Sequence, residues 1–478
     1  MQFHFIANAA HEGASGRTIP VIDPSDGQPF DVIQRGNADD MALAVRSARH
    51  CYDTLWSKLS AAERGRLLMR LSARIADHID ELTDIEQRDC GKPTRQARAD
   101  AVALARYFEF YAGACDKLHG QTIPYQDGYT VLTWHEPHGV TGHIIPWNYP
   151  MQIFGRSVAA SLAAGNVCVV KPSEDACLSL LRVAQLAGEC GFPAGAINIV
   201  TGYGHEVGEA LARDAGIDHI SFTGSPRVGT LIQQAAAERH CPVTLELGGK
   251  SPQIVFDDAD IEAVLPAVVN AIVQNAGQTC SAGSRLLVQQ GLYEPLLERL
   301  GALFANLRVG PAAMDLDVGP LIRASQQQRV WDFLSDAQVA GIPMVAQGQI
   351  VDSAPDSGFY QAPALLRDVP AAHRLAQEEV FGPVLAAMSF RDEDHAVALA
   401  NATQFGLVSG IWTRDGARQL RMARRVRSGQ VFINNYGAAG GVELPFGGVK
   451  SSGHGREKGF EALYGFTTLK TVAIRHGH

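Results

Sequence analysis

VTGHIIPWNYPMQIFGRSVAASLAAGNVCVVKP, residues 140–172, is the stretch that decides the fold. VTGHIIP is a β-branched, apolar run closed by Pro146, the composition of a buried strand. A helix is expected from about Tyr149 to Ala164, with Gly165 and Asn166 ending it. NVCVVKP then reads as a second strand. Two strands joined by one helix form a crossover unit, which requires the strands to be parallel and the helix to cover one face of their sheet.

The alternation continues downstream. A helix over 178–190, strand AINIV, a helix over 205–213, strand HISFTG and a helix over 226–239 follow. A second alternating region, from about 251 to 435, carries strands PQIVF, SRLLVQQ, VLAAMSF, SGIWT and GQVFINN. The expected class is α/β, with parallel sheets covered by helices on both faces. Residues 38–115 read as helical: one helix through MALAVRSARHCYDTLW and one through ERGRLLMRLSARIADHIDELTDIEQRDC, stopped by Gly91 and Pro93. GQTIPYQDGYTVLTWHEP, residues 120–137, reads as a hairpin about Gln126-Asp127-Gly128. The late strand FTTLKTVAI would pair with that hairpin or with another subunit.

At 478 residues the chain has room for two or three domains. Its net charge of −9 argues against nucleic acid or an anionic membrane surface as the main partner. No apolar run has the length of a membrane span, and the N-terminal MQFHFIANAAHEG lacks the pattern of a signal peptide. Cysteines at 51, 90, 115, 168, 177, 190, 241 and 280 show no CxxC and no metal-type spacing. They fit a reducing, cytoplasmic setting, and no metal site is expected.

Five short segments could carry chemistry. TGYGHEVG spaces its glycines differently from GxGxxG, so the standard dinucleotide fingerprint is absent. VVKPSE, residues 169–174, instead sets Lys171 and Glu174 at the carboxyl edge of a strand, where open α/β sheets bind ligands. A lysine suits a hydroxyl or phosphate and a carboxylate suits a ribose diol, although both could equally be solvated turn residues. In ISFTGSPRVG, residues 220–229, Gly224, Ser225 at the N-cap and Pro226 at N1 make either a ready anion site or an ordinary capped helix. Glu246, in the apolar setting of LELGGKSPQIVF, has the surroundings that raise a carboxyl pKa toward that of a general base, or it pairs with a distant cation. Asn148, between Pro146 and Pro150, either donates to a developing oxyanion or bonds local backbone. Cys280, in NAGQTCSAGSR, has no base or cation beside it in sequence. Its small neighbours Gly277, Ser281, Ala282 and Gly283 read as leaving space around the sulfur.

PWNYP, VVKPSE, FTGS, LELGGKSP, GQTCSAGSR, EEVFGPV and PFGGVKSSG, in that order and at those spacings, resemble the NAD(P)-dependent aldehyde dehydrogenase superfamily over essentially the whole chain. The resemblance implies that Cys280 attacks the aldehyde, that Glu246 activates the water that hydrolyses the resulting thioester, and that Asn148 holds the oxyanion with the Cys280 N–H. Lys171, Glu174, Gly224, Ser225, Glu379 and Phe381 match cofactor-binding positions, together with Ile144, Pro146 and Trp147. A carboxylate at Glu174 would favour NAD over NADP. Tyr149, Arg156 and Phe446 would line the substrate site, with Arg156 contacting a polar or anionic substrate group or pairing with a local carboxylate. The short side chains of GAAGGVELPFGG, residues 437–448, suggest a roomy entrance.

The same resemblance implies the division of the chain. A Rossmann-like cofactor domain would take 1–115 and 138–248, an α/β catalytic domain 249–449, and a small β oligomerisation element 116–137 and 450–478. Homodimers or homotetramers acting on a small aldehyde are expected. A CoA-acylating enzyme is the related alternative, against which the retention of Glu246 argues. A catalytically silent protein of the same fold, or a thiol esterase, are the others.

Overall fold

The computed structural model describes residues 1–476, with the side chain of Ala439 set aside. The opening unit forms as expected: Val140–Ile145 and Val167–Pro172 pair in parallel, from Val140 opposite Val167 to Ile145 opposite Pro172. They sit inside an eight-stranded sheet ordered Ala9–His11, His4–Ile6, Ile197–Ile199, Val167–Pro172, Val140–Ile145, His219–Thr223, Val243–Glu246, Gly453–His454. The five central strands are parallel, so their carboxyl ends share one edge. That geometry brings Asn148, Lys171, Ser225 and Glu246, distant in sequence, to one side of the sheet.

A second sheet of seven strands has the order Met344–Gln347, Ala364–Leu366, Val384–Phe390, Arg285–Gln289, Pro252–Val255, Val408–Trp412, Gln430–Ile433. Each sheet carries its own large apolar core, the first including Trp56, Phe108, Phe154 and Ile220, the second Phe256, Leu286, Phe304 and Phe390. In a third, three-stranded sheet the late strand Thr467–Arg475 pairs along its whole length with Tyr129–Pro137, which also pairs with Thr122–Ile123. The late strand therefore meets the hairpin of its own chain.

Four details differ from the sequence expectation. The second long helix is two, Ala61–Asp77 and Ile79–Cys90, broken where His78 leaves helical geometry and its Nδ1 bonds the Arg74 carbonyl. Gly91 does stop the second piece, in the left-handed conformation that only glycine adopts cheaply. The helix after Asn148 is interrupted by a π-helical turn, Gly155–Ala159, a distortion that recurs at functional sites. The N-terminal strands His4–Ile6, Ala9–His11, Thr18–Ile22 and Pro29–Gln34, three to six residues long, lie outside the sequence expectation. Of residues 450–478, Gly453–His454 adds to the edge of the first sheet and Ala462, Leu463 and Phe466 join its core, so only the final strand belongs to the three-stranded sheet.

Candidate active site

Cys280 lies on the loop leading into Arg285–Gln289, the central strand of the second sheet. Three successive residues ahead of it, Asn275, Ala276 and Gly277, take left-handed backbone angles of φ 49°, 53° and 73°. A Cβ on Gly277 would stand 2.3 Å from the Gly382 carbonyl carbon, and one on Gly249 would stand 2.3 Å from the Cys280 carbonyl oxygen. The glycines around the cysteine are thus required by close packing of its loop against EEVFGPV and LELGG. This corrects the reading that they clear space around the sulfur: a Cβ on Gly283 would likewise meet Gln253 and Ala271.

Asn148 is buried and tied to this loop rather than to its own turn. Its Nδ2 donates to the Gln278 carbonyl at 3.0 Å, and Asn275 Nδ2 donates to the Asn148 carbonyl at 2.9 Å. The Tyr149 and Thr279 hydroxyls share a hydrogen bond of 3.0 Å. These bonds lock the strand end of the first sheet to the cysteine loop of the second. One amide hydrogen of Asn148 remains for a group bound next to the sulfur.

A cavity of about 1000 Å³ opens beside these residues, lined by Asn148, Tyr149, Arg156, Cys280, Phe446 and Lys458, among others. Burial pushes the Cys280 thiol up to about 12; Arg156 opposes the shift, while Glu379 and Glu246 add to it. Glu246 ends the strand Val243–Glu246 and is fully buried, with no partner for either carboxyl oxygen among the described residues. Burial, then repulsion from Glu457, raises its pKa well above the ordinary range, against the pull of Arg156 and Arg456. A Cβ on Gly447 would come within 2.8 Å of Glu246 Oε1, so the glycine of PFGG leaves room for that carboxyl group.

Arg156 is carried by the π-helical turn. Its guanidinium pairs with the buried carboxylate of Glu457 and lies 5.0 Å from the Phe446 ring centroid. Glu457 Oε1 also accepts from Ser221 at 2.9 Å. Sequence reading stopped at PFGG and missed Glu457 and Lys458, although a charged Glu-Lys pair inside the glycine-rich SSGHGREKGF was a visible signal. It also missed the buried Lys92, which bonds Glu86 at 2.8 Å, pairs with Asp100, and lies 4.3 Å from the Tyr149 ring centroid.

On the other side of Cys280, Lys171 Nζ bonds Glu174 Oε2 at 3.0 Å. Ser225 caps the helix Pro226–Ala237 by accepting from the Val228 N–H, and Gly224 precedes it at the same sheet edge. Glu379 Oε1 accepts from the Gly249 N–H at 3.0 Å, and burial raises its pKa to about 7. A Cβ on Gly248 would lie 2.4 Å from Glu379 Oε2. Phe381, left-handed at φ 59°, meets Trp147 edge-on at 5.4 Å between centroids. Ile144 and Pro146 lie at the same strand end, half-buried. A dinucleotide fits this donor set: a cation and carboxylate at a strand end, a capped helix N-terminus, and a second carboxylate held in place by a backbone N–H.

A thiol and a fixed amide donor at one cavity, with an unpartnered carboxyl group near enough for its charge to act on that thiol, are the parts that covalent catalysis needs. The aldehyde dehydrogenase family profile matches residues 11–472. The chain belongs to that family and is an oxidoreductase acting on aldehydes. It is 40% identical to a hydroxyisobutyraldehyde dehydrogenase of Mycolicibacterium austroafricanum, over 96% of this chain and 91% of that one. It is 38% identical to an aldehyde dehydrogenase of Emericella nidulans, over 99% and 95% of the two chains. Among solved structures, a provisionally named aldehyde dehydrogenase from Burkholderia cenocepacia superposes with a TM-score of 0.99 at 74% identity, covering 99% of this chain and 100% of that one. PnpE in complex with nicotinamide adenine dinucleotide gives a TM-score of 0.96 at 39% identity, over 99% and 97% of the chains.

Proposed function

We propose that this protein oxidises an aldehyde to the carboxylic acid with NAD, through a thioester on Cys280 that Glu246-activated water hydrolyses. The observation that carries the proposal is a buried, unpartnered Glu246 close enough for its charge to act on the thiol of Cys280, which itself lines the cavity. When bound, NAD supplies the hydride acceptor.

The Cys280 thiol loses its proton as sulfur bonds the carbonyl carbon, and the carbonyl oxygen takes the electron pair of the broken π bond. The spare Asn148 amide hydrogen and the Cys280 backbone N–H stabilise that oxygen. Their rigid tethering costs no reorganisation as the charge forms. Loss of hydride from the carbon leaves the thioester. Glu246 then removes a proton from water, the hydroxyl oxygen bonds the carbonyl carbon, and the carbon–sulfur bond breaks to release the acid and the thiolate, which is reprotonated. A carboxyl group of raised pKa suits this base, because a stronger base removes the proton of water more readily.

Lys171 and Glu174 would hold the adenosine ribose, Gly224 and Ser225 the pyrophosphate, and Glu379 and Phe381 the nicotinamide ribose, with Ile144, Pro146 and Trp147 beside them. The acidic Glu174 supports NAD over NADP. Tyr149, Arg156 and Phe446 support a substrate position in the cavity. The exposed apolar side chains of the three-stranded sheet, Trp134, Leu469 and Ile474, support self-association through that element. Of the domain boundaries at residues 115, 138, 248 and 449, the one at 248 is supported by the separate cores of the two large sheets, whereas Val442, Ala462, Leu463 and Phe466 pack with the first core. The test is rapid mixing of NAD with aldehyde. The wild type should turn over, Cys280→Ser should form no NADH, and Glu246→Gln should give a burst of about one NADH per active site before stalling. Turnover by Cys280→Ser would overturn the proposal.

A further inference from the structure

The turn at Glu457 and Lys458 presents an ammonium that forms no ion pair among the described residues to the cavity. Phe446 and Glu457 exchange backbone hydrogen bonds of 2.6 and 2.8 Å, which fixes the next residue, Lys458, beside the Phe446 ring. Lys458 itself takes φ 61°, a left-handed conformation unfavourable for a residue with a side chain, and Gly459 follows at φ 60°. This turn sends Glu457 inward to Arg156 while Lys458 lines the cavity that holds Cys280.

The carboxylates around Lys458 are engaged elsewhere. Glu457 pairs with Arg156, and Glu443 pairs with Arg106 at the surface. Lys458 Nζ donates to the Gly440 carbonyl at 3.2 Å and forms no ion pair among the described residues. Its ammonium lies 6.0 Å from the Phe446 ring centroid, and the Arg156 guanidinium 5.0 Å from the same centroid. Burial and the charge of Arg156 push the Lys458 pKa down to about 8, so it still carries its proton at neutral pH. A half-buried ammonium held in left-handed backbone with no ion pair among the described residues, attracted only at longer range by Glu443, gains when an anion arrives.

We infer that Lys458 selects aldehydes carrying a carboxylate at the end remote from the carbonyl, by pairing with that carboxylate inside the cavity. Arg156, spent on Glu457, is the backing charge and Lys458 the contact. This inference rests on the proposed aldehyde oxidation. Its test is the ratio of kcat/KM for 5-oxopentanoate to that for hexanal, with NAD, in the wild type, Lys458→Met and Lys458→Gln. The glutamine variant keeps a donor for Gly440 and serves if the methionine variant does not fold. The ratio should fall about tenfold or more in the variants, mainly through KM for the oxoacid, as expected for loss of a charged hydrogen bond. A ratio unchanged in both folded variants overturns the inference while leaving the oxidation intact. Absence of NADH formation from either aldehyde in the wild type overturns the underlying activity instead.

Discussion

Arg156 and Glu457 form a buried ion pair next to Glu246, and after burial the charge of Glu457 does most to raise the pKa of the Glu246 carboxyl. A base whose pKa is raised is active only above that pKa, so thioester hydrolysis should strengthen as pH rises through it. Glu457→Gln removes the repulsion and leaves Arg156 to favour the carboxylate. The rising limb of kcat against pH should therefore move to lower pH. A midpoint that stays fixed or moves upward would contradict this assignment. The same substitution leaves a buried guanidinium uncompensated and should lower stability by ~3–5 kcal/mol, read from denaturant unfolding.

The resting thiol should be slow to alkylate. With burial pushing Cys280 up to about 12, the thiolate is a minute fraction at neutral pH, and the thiolate is the reactive form. Iodoacetamide modification of the Cys280 peptide, followed by mass spectrometry without cofactor, should accelerate steadily with pH and reach no plateau below pH ~10. A plateau near neutrality would mean that a neighbouring charge already ionises the sulfur in the resting protein.

Gly277→Ala tests whether the loop glycines serve packing. The position needs φ 73°, and the added methyl would meet the Gly382 carbonyl carbon at 2.3 Å, backbone that cannot rotate away. Strain of this kind destabilises by more than the ~1 kcal/mol that an alanine gives at a compatible site. The melting temperature should fall by ~3 °C or more, with NADH formation falling as the cysteine loop shifts. An unchanged melting temperature would restore the space-clearing reading of these residues.

The strands that build the two sheets were legible because each is a short apolar run bounded by glycine, proline or a capped helix, as in VTGHIIP and HISFTG. His78 broke a continuous helical pattern without a proline or glycine to announce it. The N-terminal strands are only three to six residues long, too short for a pattern to register, even though His4–Ile6 is buried throughout. Cys280, Glu246 and Asn148 gave only modest local signals, and their expected roles came from the family resemblance carried by the whole series of motifs. Glu457 and Lys458 were missed, because their roles arise from a turn that faces them in opposite directions. Arg156 was singled out from sequence, but its partner lies about three hundred residues away and comes close only through folding.

Glu174 should govern the choice between dinucleotides. Its Oε2 is held 3.0 Å from Lys171 Nζ at the end of Val167–Pro172, so the pair presents a near-neutral, hydrogen-bonding surface rather than a free cation. A ribose 2′-hydroxyl can donate to the carboxylate, whereas a 2′-phosphate would meet its charge. In Glu174→Gln the repulsion is gone and Lys171 is released to pair with the phosphate. The ratio of kcat/KM for NADP to that for NAD should then rise by about tenfold, a change of ~1.4 kcal/mol. Lys171→Met in the same background should cancel the gain, because the released ammonium is what the phosphate would use. If Glu174→Gln weakens both dinucleotides equally, the carboxylate only positions the loop, and the preference must come from another residue at that sheet edge.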